Sequence, residues 1–168
     1  MTVQRCNLHD IKHEGICPDC LSDAEMRVRD KSTKNVPDEL RNIRIGNNSD
    51  GQKASEDGLF VINVTSHYEN PSATVQLPLI TGAISAEKLN LIASIIKAAV
   101  DNKQKVFVHC TAGLERSPLC VVWYLHKYHE MSFNTAYAQV RLIRPEAWDR
   151  RSWITYNSPE EFLSNNRS

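Results

Sequence analysis

Apolar positions between residues 59 and 144 fall into short blocks, each with the period of a strand or of a helix. LFVINVT (59–65) is a β-branched apolar run bounded by Gly58 and the polar stretch SHYENPS, and it predicts a buried strand. TVQLPLI (74–80) predicts a weaker strand, and its Pro78 restricts it to a sheet edge or a strand end. Ser85 is placed to cap a helix in which Leu89, Ile92, Ile96 and Val100 share one face of a 3.6-residue period. KVFVH (105–109) is short and almost wholly apolar, as expected at the centre of a parallel sheet. A second helix begins near Arg116, with Pro118 in the first turn, where it is tolerated, and with Val121, Val122 and Leu125 as apolar contacts. A third, FNTAYAQVRLI after Ser132, stops before Pro145. This alternation predicts an α/β fold, a central and mostly parallel sheet flanked by helices on both faces.

The flanks differ. From Leu21 to Leu40 the chain is rich in mixed charge and poor in large apolar residues, which reads as a linker (22–40) with a short helix near 22–31. The end, SPEEFLSNNRS (158–168), reads as a polar, fraying tail. The main domain then spans 41–157. Residues 1–21 carry Cys6-x2-His9 and Cys17-x2-Cys20, with His13 between the pairs. Two such pairs supply the four N/S ligands that tetrahedral zinc prefers. The spacing predicts a compact zinc knuckle held by Cys6, His9, Cys17 and Cys20, with His13 able to replace His9. Four ligands would close the site, so the zinc would be structural.

Composition narrows the class. Apolar residues make up 41% and charged residues 24% of 168, which is globular. Twenty basic residues balance twenty acidic ones, so no overall field marks a nucleic-acid or membrane partner. The start lacks the apolar core of a signal peptide, and the most apolar window (84–100) is broken by Glu87, Lys88, Asn90, Ser94 and Lys97. A cytoplasmic location without a membrane partner is the expectation.

The chemistry concentrates in VHCTAGLERSP (108–118). Cys110 falls just past the carboxyl end of the predicted central strand, the edge at which ligands bind in open α/β sheets. The next helix points its amino end back at the thiol. An ordinary thiol, with a pKa of about 8.5, is mostly protonated at neutral pH. A helix amino terminus, converging N–H groups and Arg116 all favour the thiolate. The same groups suit phosphate. Thr111, Ala112, Gly113, Leu114, Glu115 and Arg116 form a loop whose amides can wrap its oxygens, with Gly113 free to take an unusual backbone angle and Arg116 offering a planar fork. Cys120, set among Leu119, Val121 and Val122, reads instead as core.

HCTAGLERS matches the His-Cys-x5-Arg-Ser/Thr loop of the cysteine-dependent phosphatases. With IRIGN (43–47), VINVT (61–65) and AYAQVRLIRP (136–145) in order, the chain resembles the dual-specificity branch over most of 41–156. The resemblance implies a phosphatase fold and a two-step phosphomonoester hydrolysis without a catalytic cofactor. Cys110 would form a phosphocysteine, Arg116 and the loop amides would hold the phosphoryl oxygens, and Ser117 would donate to the departing sulfur. His109 would orient the loop and tune the thiol. The expected substrate is a phosphorylated protein or a small phosphomonoester.

One feature departs from that pattern. The family places an acidic aspartate on a loop before the first long helix, but here LPLITGAIS occupies the region and no aspartate occurs between Asp57 and Asp101. Glu115 and Asp149 could replace it, and Glu69 with His67 rank behind them; myotubularin-like phosphatases carry an acid at the position of Glu115. A phosphoanhydride hardly needs an acid, so an RNA 5′-triphosphatase is an alternative, with Arg141, Arg144, Arg150 and Arg151 as a basic rim for RNA. A phosphate-binding adaptor is a second alternative.

Overall fold

The computed structural model describes residues 3–5, 12–14 and 38–166. The chain divides into two compact units, residues 1–36 and 37–168. In the first, β1 (Val3–Arg5) pairs antiparallel with β2 (Lys12–Glu14), Gln4 opposite His13. Cys6, His9, Cys17 and Cys20 lie outside the described residues, as does the helix expected near 22–31.

The second unit is built on four parallel strands in the order β3-β7-β4-β5: Ile43–Gly46, Val106–His109, Phe60–Asn63 and Val75–Gln76. The short apolar strand β7 is thus central, as its composition predicts. β5 is one of the two edge strands and ends at Gln76. Leu77 and Leu79 continue to donate to Asn63 and Val64, while the intervening Pro78 has no N–H to give.

Side chains alternate across this sheet. On one side, Phe107 and Val61 pack with Ala54 of α2 (Asn48–Glu56), which follows α1 (Asp38–Arg41) and β3. On the other side lie α3 (Ala86–Asp101), α4 (Arg116–Tyr128) and α5 (Phe133–Ile143), with α3 and α5 both packed on α4. Leu89, Ile92, Ile96 and Val100 are buried along α3, and Ser85 accepts from the Lys88 N–H as its cap. Trp123 is fully buried on α4, and its indole N–H donates to Asn90 Oδ1 at 2.7 Å. Cys120 is buried in the core, as expected. A two-stranded parallel pair, β6 (Ile84–Ser85) and β8 (Ile154–Thr155), ties the start of α3 to the segment after α5.

Two helices differ from the expectations. α2 carries no apolar stripe, because it buries only Gly51 and Ala54; a capping box between Asn47 and Asp50 starts it. Residues expected to fray form α6 (Pro159–Asn165), begun by the Ser158 cap, Pro159 in the first turn and two glutamates at its amino end. Asn165 fastens its far end to α4, accepting from Lys127 Nζ at 2.6 Å.

Candidate active site

The chain leaves β7 at His109 and enters α4 at Arg116, so the six residues between them form a loop at the carboxyl edge of the sheet. Gly113 makes the loop possible. Its φ of +72° lies in the left-handed region, and a Cβ there would stand 2.5 Å from the Gly46 carbonyl carbon. The loop therefore folds tightly over the end of β3.

Cys110 sits at its base, 2% exposed. Its Sγ is 3.2 Å from Ser117 Oγ and accepts from the Gly113 N–H at 3.2 Å. Burial pushes the thiol up, but the Ser117 hydroxyl and the N–H groups of Ser117, Gly113 and Glu115 together outweigh it and hold the pKa below the usual thiol value. The loop N–H groups and the first turn of α4, expected to favour the thiolate, therefore meet at one atom, whereas the guanidinium of Arg116 bonds to Leu79 O and Thr111 Oγ1 instead.

Arg116 is buried and already oriented. It donates to Leu79 O at 3.2 Å and to Thr111 Oγ1 at 3.0 Å, which links the loop to the LPLITGAIS segment. A guanidinium has five donors, so these two bonds leave others for an oxyanion. His109 is wholly buried on the α2 side, against Phe107, Tyr68 and Gly51; a Cβ at Gly51 would collide with its ring. Neither ring nitrogen has a protein hydrogen-bond partner. Burial lowers its pKa, with the Cys110 backbone opposing to a smaller degree, so the ring is held toward neutrality. Any influence of His109 on the loop therefore acts through packing and its backbone rather than through a ring hydrogen bond.

The two carboxylates considered as proton donors are both in ion pairs. Arg150 Nε meets Glu115 Oε2 at 2.6 Å. Arg151 takes Asp149 with Nε and Nη2, the shortest contact being 2.6 Å. Partial burial raises the Asp149 pKa, but the hydrogen bonds and charge of Arg151 outweigh this and hold it below the usual carboxylate value. Glu69 and His67 are exposed, and the loop bearing them is fixed by buried Asn63, which donates to Tyr68 O at 2.8 Å.

The expected basic rim is likewise occupied. Besides the partners of Arg150 and Arg151, Arg141 donates to Ala147 O at 3.1 Å, and Arg144 donates to Gly113 O and Ala112 O at 3.0 Å each. Arg144, expected only as part of that rim, thus backs the phosphate loop. The partners are over thirty residues apart, so no local pattern joins them. Two large apolar side chains remain exposed beside the site: Trp148, whose N–H donates to Leu114 O, and Ile80, next to the Leu79 that anchors Arg116.

Residues 32–158 match the family described as dual specificity phosphatase, catalytic domain. Dual specificity protein phosphatase 1B of Arabidopsis thaliana is 39% identical over 62 residues, 37% of this chain and 37% of that protein. Dual specificity protein phosphatase 18 of Mus musculus is 27% identical over 86 residues, 50% of this chain and 46% of that protein. The match thus spans less than half the length of either relative. Among solved structures, Tk-PTP in the active form superposes with a TM-score of 0.54 at 26% identity, covering 66% of this chain and 82% of that chain. Among the described residues, no helix is long and apolar enough to cross a membrane.

Proposed function

The chain belongs to the dual-specificity phosphatase family, and on that premise we propose that it hydrolyses phosphomonoesters with good leaving groups, phosphotyrosine foremost, through a phosphocysteine on Cys110. The observation that carries this reading is the buried Cys110 sulfur, which lies 3.2 Å from the Ser117 hydroxyl and accepts from the Gly113 N–H beneath a loop closed by Arg116.

The steps balance without a cofactor. The Cys110 thiolate attacks phosphorus, the bond from phosphorus to the ester oxygen breaks, and the alcohol leaves as its anion and takes a proton from water. Water then attacks the phosphocysteine, the S–P bond breaks, and Ser117 steadies the returning thiolate. Arg116 and the loop amides hold the three equatorial oxygens throughout.

The leaving group follows from the missing acid. With Glu115 and Asp149 in ion pairs, neither candidate acid is free to give the departing oxygen a proton. A phenolate, of pKa about 10, tolerates that; a serine alkoxide does not. The exposed Trp148 and Ile80 offer apolar surface for an aromatic ring. The test is a panel of phosphotyrosine peptide, phosphoserine peptide and 5′-triphosphate RNA. Phosphotyrosine turned over at least about 10²-fold faster than phosphoserine supports the reading, since that is the low end of what a general acid contributes. Preference for the RNA end would favour the triphosphatase alternative, and binding without turnover the adaptor.

A further inference from the structure

The loop around Cys110 is held from behind. Gly113 and Glu115 turn their N–H groups in toward the sulfur. Peptides that point N–H groups inward point carbonyls outward, and those carbonyls need donors. Each carbonyl from Thr111 to Leu114 has one. The Asn48 N–H donates to Thr111 O at 3.3 Å, and the Trp148 N–H to Leu114 O at 2.8 Å. Arg144 supplies the middle two, from Nη2 to Ala112 O and from Nε to Gly113 O.

The Ala112–Gly113 peptide is therefore engaged at both ends. Its oxygen accepts from a cation, and its N–H donates to Cys110 Sγ at 3.2 Å. A peptide loaded at oxygen by a charged donor becomes a better donor at nitrogen, because bonds in a chain polarise one another. We propose that Arg144 is a positioning residue for Cys110: it fixes and polarises the Ala112–Gly113 peptide from behind, so that the Gly113 N–H stabilises the thiolate. The proposal rests on reading Cys110 as the nucleophile.

The local sequence delivers Arg144 to this place. It is the first residue after α5, and its backbone has left the helix at φ −142°, ψ 81° because Pro145 follows. The side chain turns back over the loop, with Glu146 3.9 Å away as its remaining charged partner. The planar fork meets the two adjacent carbonyls with two different nitrogens held at a fixed spacing, a geometry that the single nitrogen of a lysine ammonium does not reproduce.

The experiment reads the thiolate without requiring turnover. The rate of Cys110 alkylation by iodoacetamide is followed against pH in the wild type, R144A and R144K, with melting temperatures measured beside it. The other titratable or charged groups around Cys110 are His109, Arg116, Cys120 and the paired Glu115. All of them remain in both variants. The alkylation midpoint is expected to rise by about half a pH unit or more in R144A, with R144K between it and the wild type. Folded variants with the wild-type midpoint would overturn the proposal. Should R144A not fold, R144K decides alone by the same criterion. A wild type inert toward aryl phosphates would sink the phosphatase reading and leave this measurement standing.

Discussion

Arg150 Nε lies 2.6 Å from Glu115 Oε2, and its guanidinium also lies over the rings of Trp148 and Trp153 at 4.9 Å from each. One residue along, Arg151 grips Asp149 and covers Phe133 and Tyr137. These pairs brace the segment that backs the phosphate loop. Each carboxylate is thus committed to an arginine rather than left free over the loop.

Replacing the two carboxylates should therefore cost little chemistry. Glu115→Gln and Asp149→Asn are each expected to keep kcat/KM for an aryl phosphate within about threefold of the wild type, against the 10²–10⁴-fold loss that follows removal of a general acid. Steady-state kinetics of the variants, on aryl and alkyl esters, decides the matter. A loss above about a hundredfold, confined to the alkyl ester, would identify the mutated residue as the acid.

Gly113→Ala should damage both stability and phosphate binding. The substitution forces a side chain into φ +72° and against the Gly46 backbone. The left-handed conformation alone costs about 1–2 kcal/mol, and the collision adds to it. A lower melting temperature with weakened protection by inorganic phosphate is the expected result.

The signature loop is legible in the sequence because its members are contiguous. Cys110, Gly113, Arg116 and Ser117 are arranged by one turn and one helix start, and local chemistry specifies both. The central strand and the three long helices are legible for the same reason, each carrying its own period. α2 is not, since a helix that buries only a glycine and an alanine leaves no apolar rhythm; Asn47 and Asp50 were its one local signal. The roles of Arg144 and Arg150 depend on contacts across thirty or more residues, which spacing does not encode. His109 shows a similar limit. Its place before Cys110 is readable, but its unpartnered burial against Gly51 is not.

The thiol governs the acidic side of the pH profile. The reaction needs the thiolate, so kcat/KM should rise with pH through the Cys110 pKa, and hydrogen bonding places that rise below the range of an ordinary thiol. Ser117→Ala removes the hydroxyl 3.2 Å from the sulfur. The rise should move to higher pH, and hydrolysis of the phosphocysteine should slow, which a burst of released phenol would reveal. An unshifted profile without a burst would remove Ser117 from both roles.

The N-terminal cysteine spacing carries a separate prediction. We propose that Cys6, His9, Cys17 and Cys20 bind one structural zinc per chain. Metal analysis of the purified protein should find it, and Cys17→Ser with Cys20→Ser should lose it. Chelation is expected to leave aryl phosphatase turnover unchanged, because the reaction is assigned to Cys110 and its loop. Metal-free protein as purified, under non-chelating conditions, would refute the site.

The central claim is that Cys110 is the nucleophile of a phosphatase. Its most direct test is hydrolysis of p-nitrophenyl phosphate by the wild type and by Cys110→Ser, with folding verified in both. Steady turnover by the wild type and none by the variant are expected, since a serine hydroxyl at this site stays protonated. Equal turnover in both proteins, or none in a folded wild type, would contradict it.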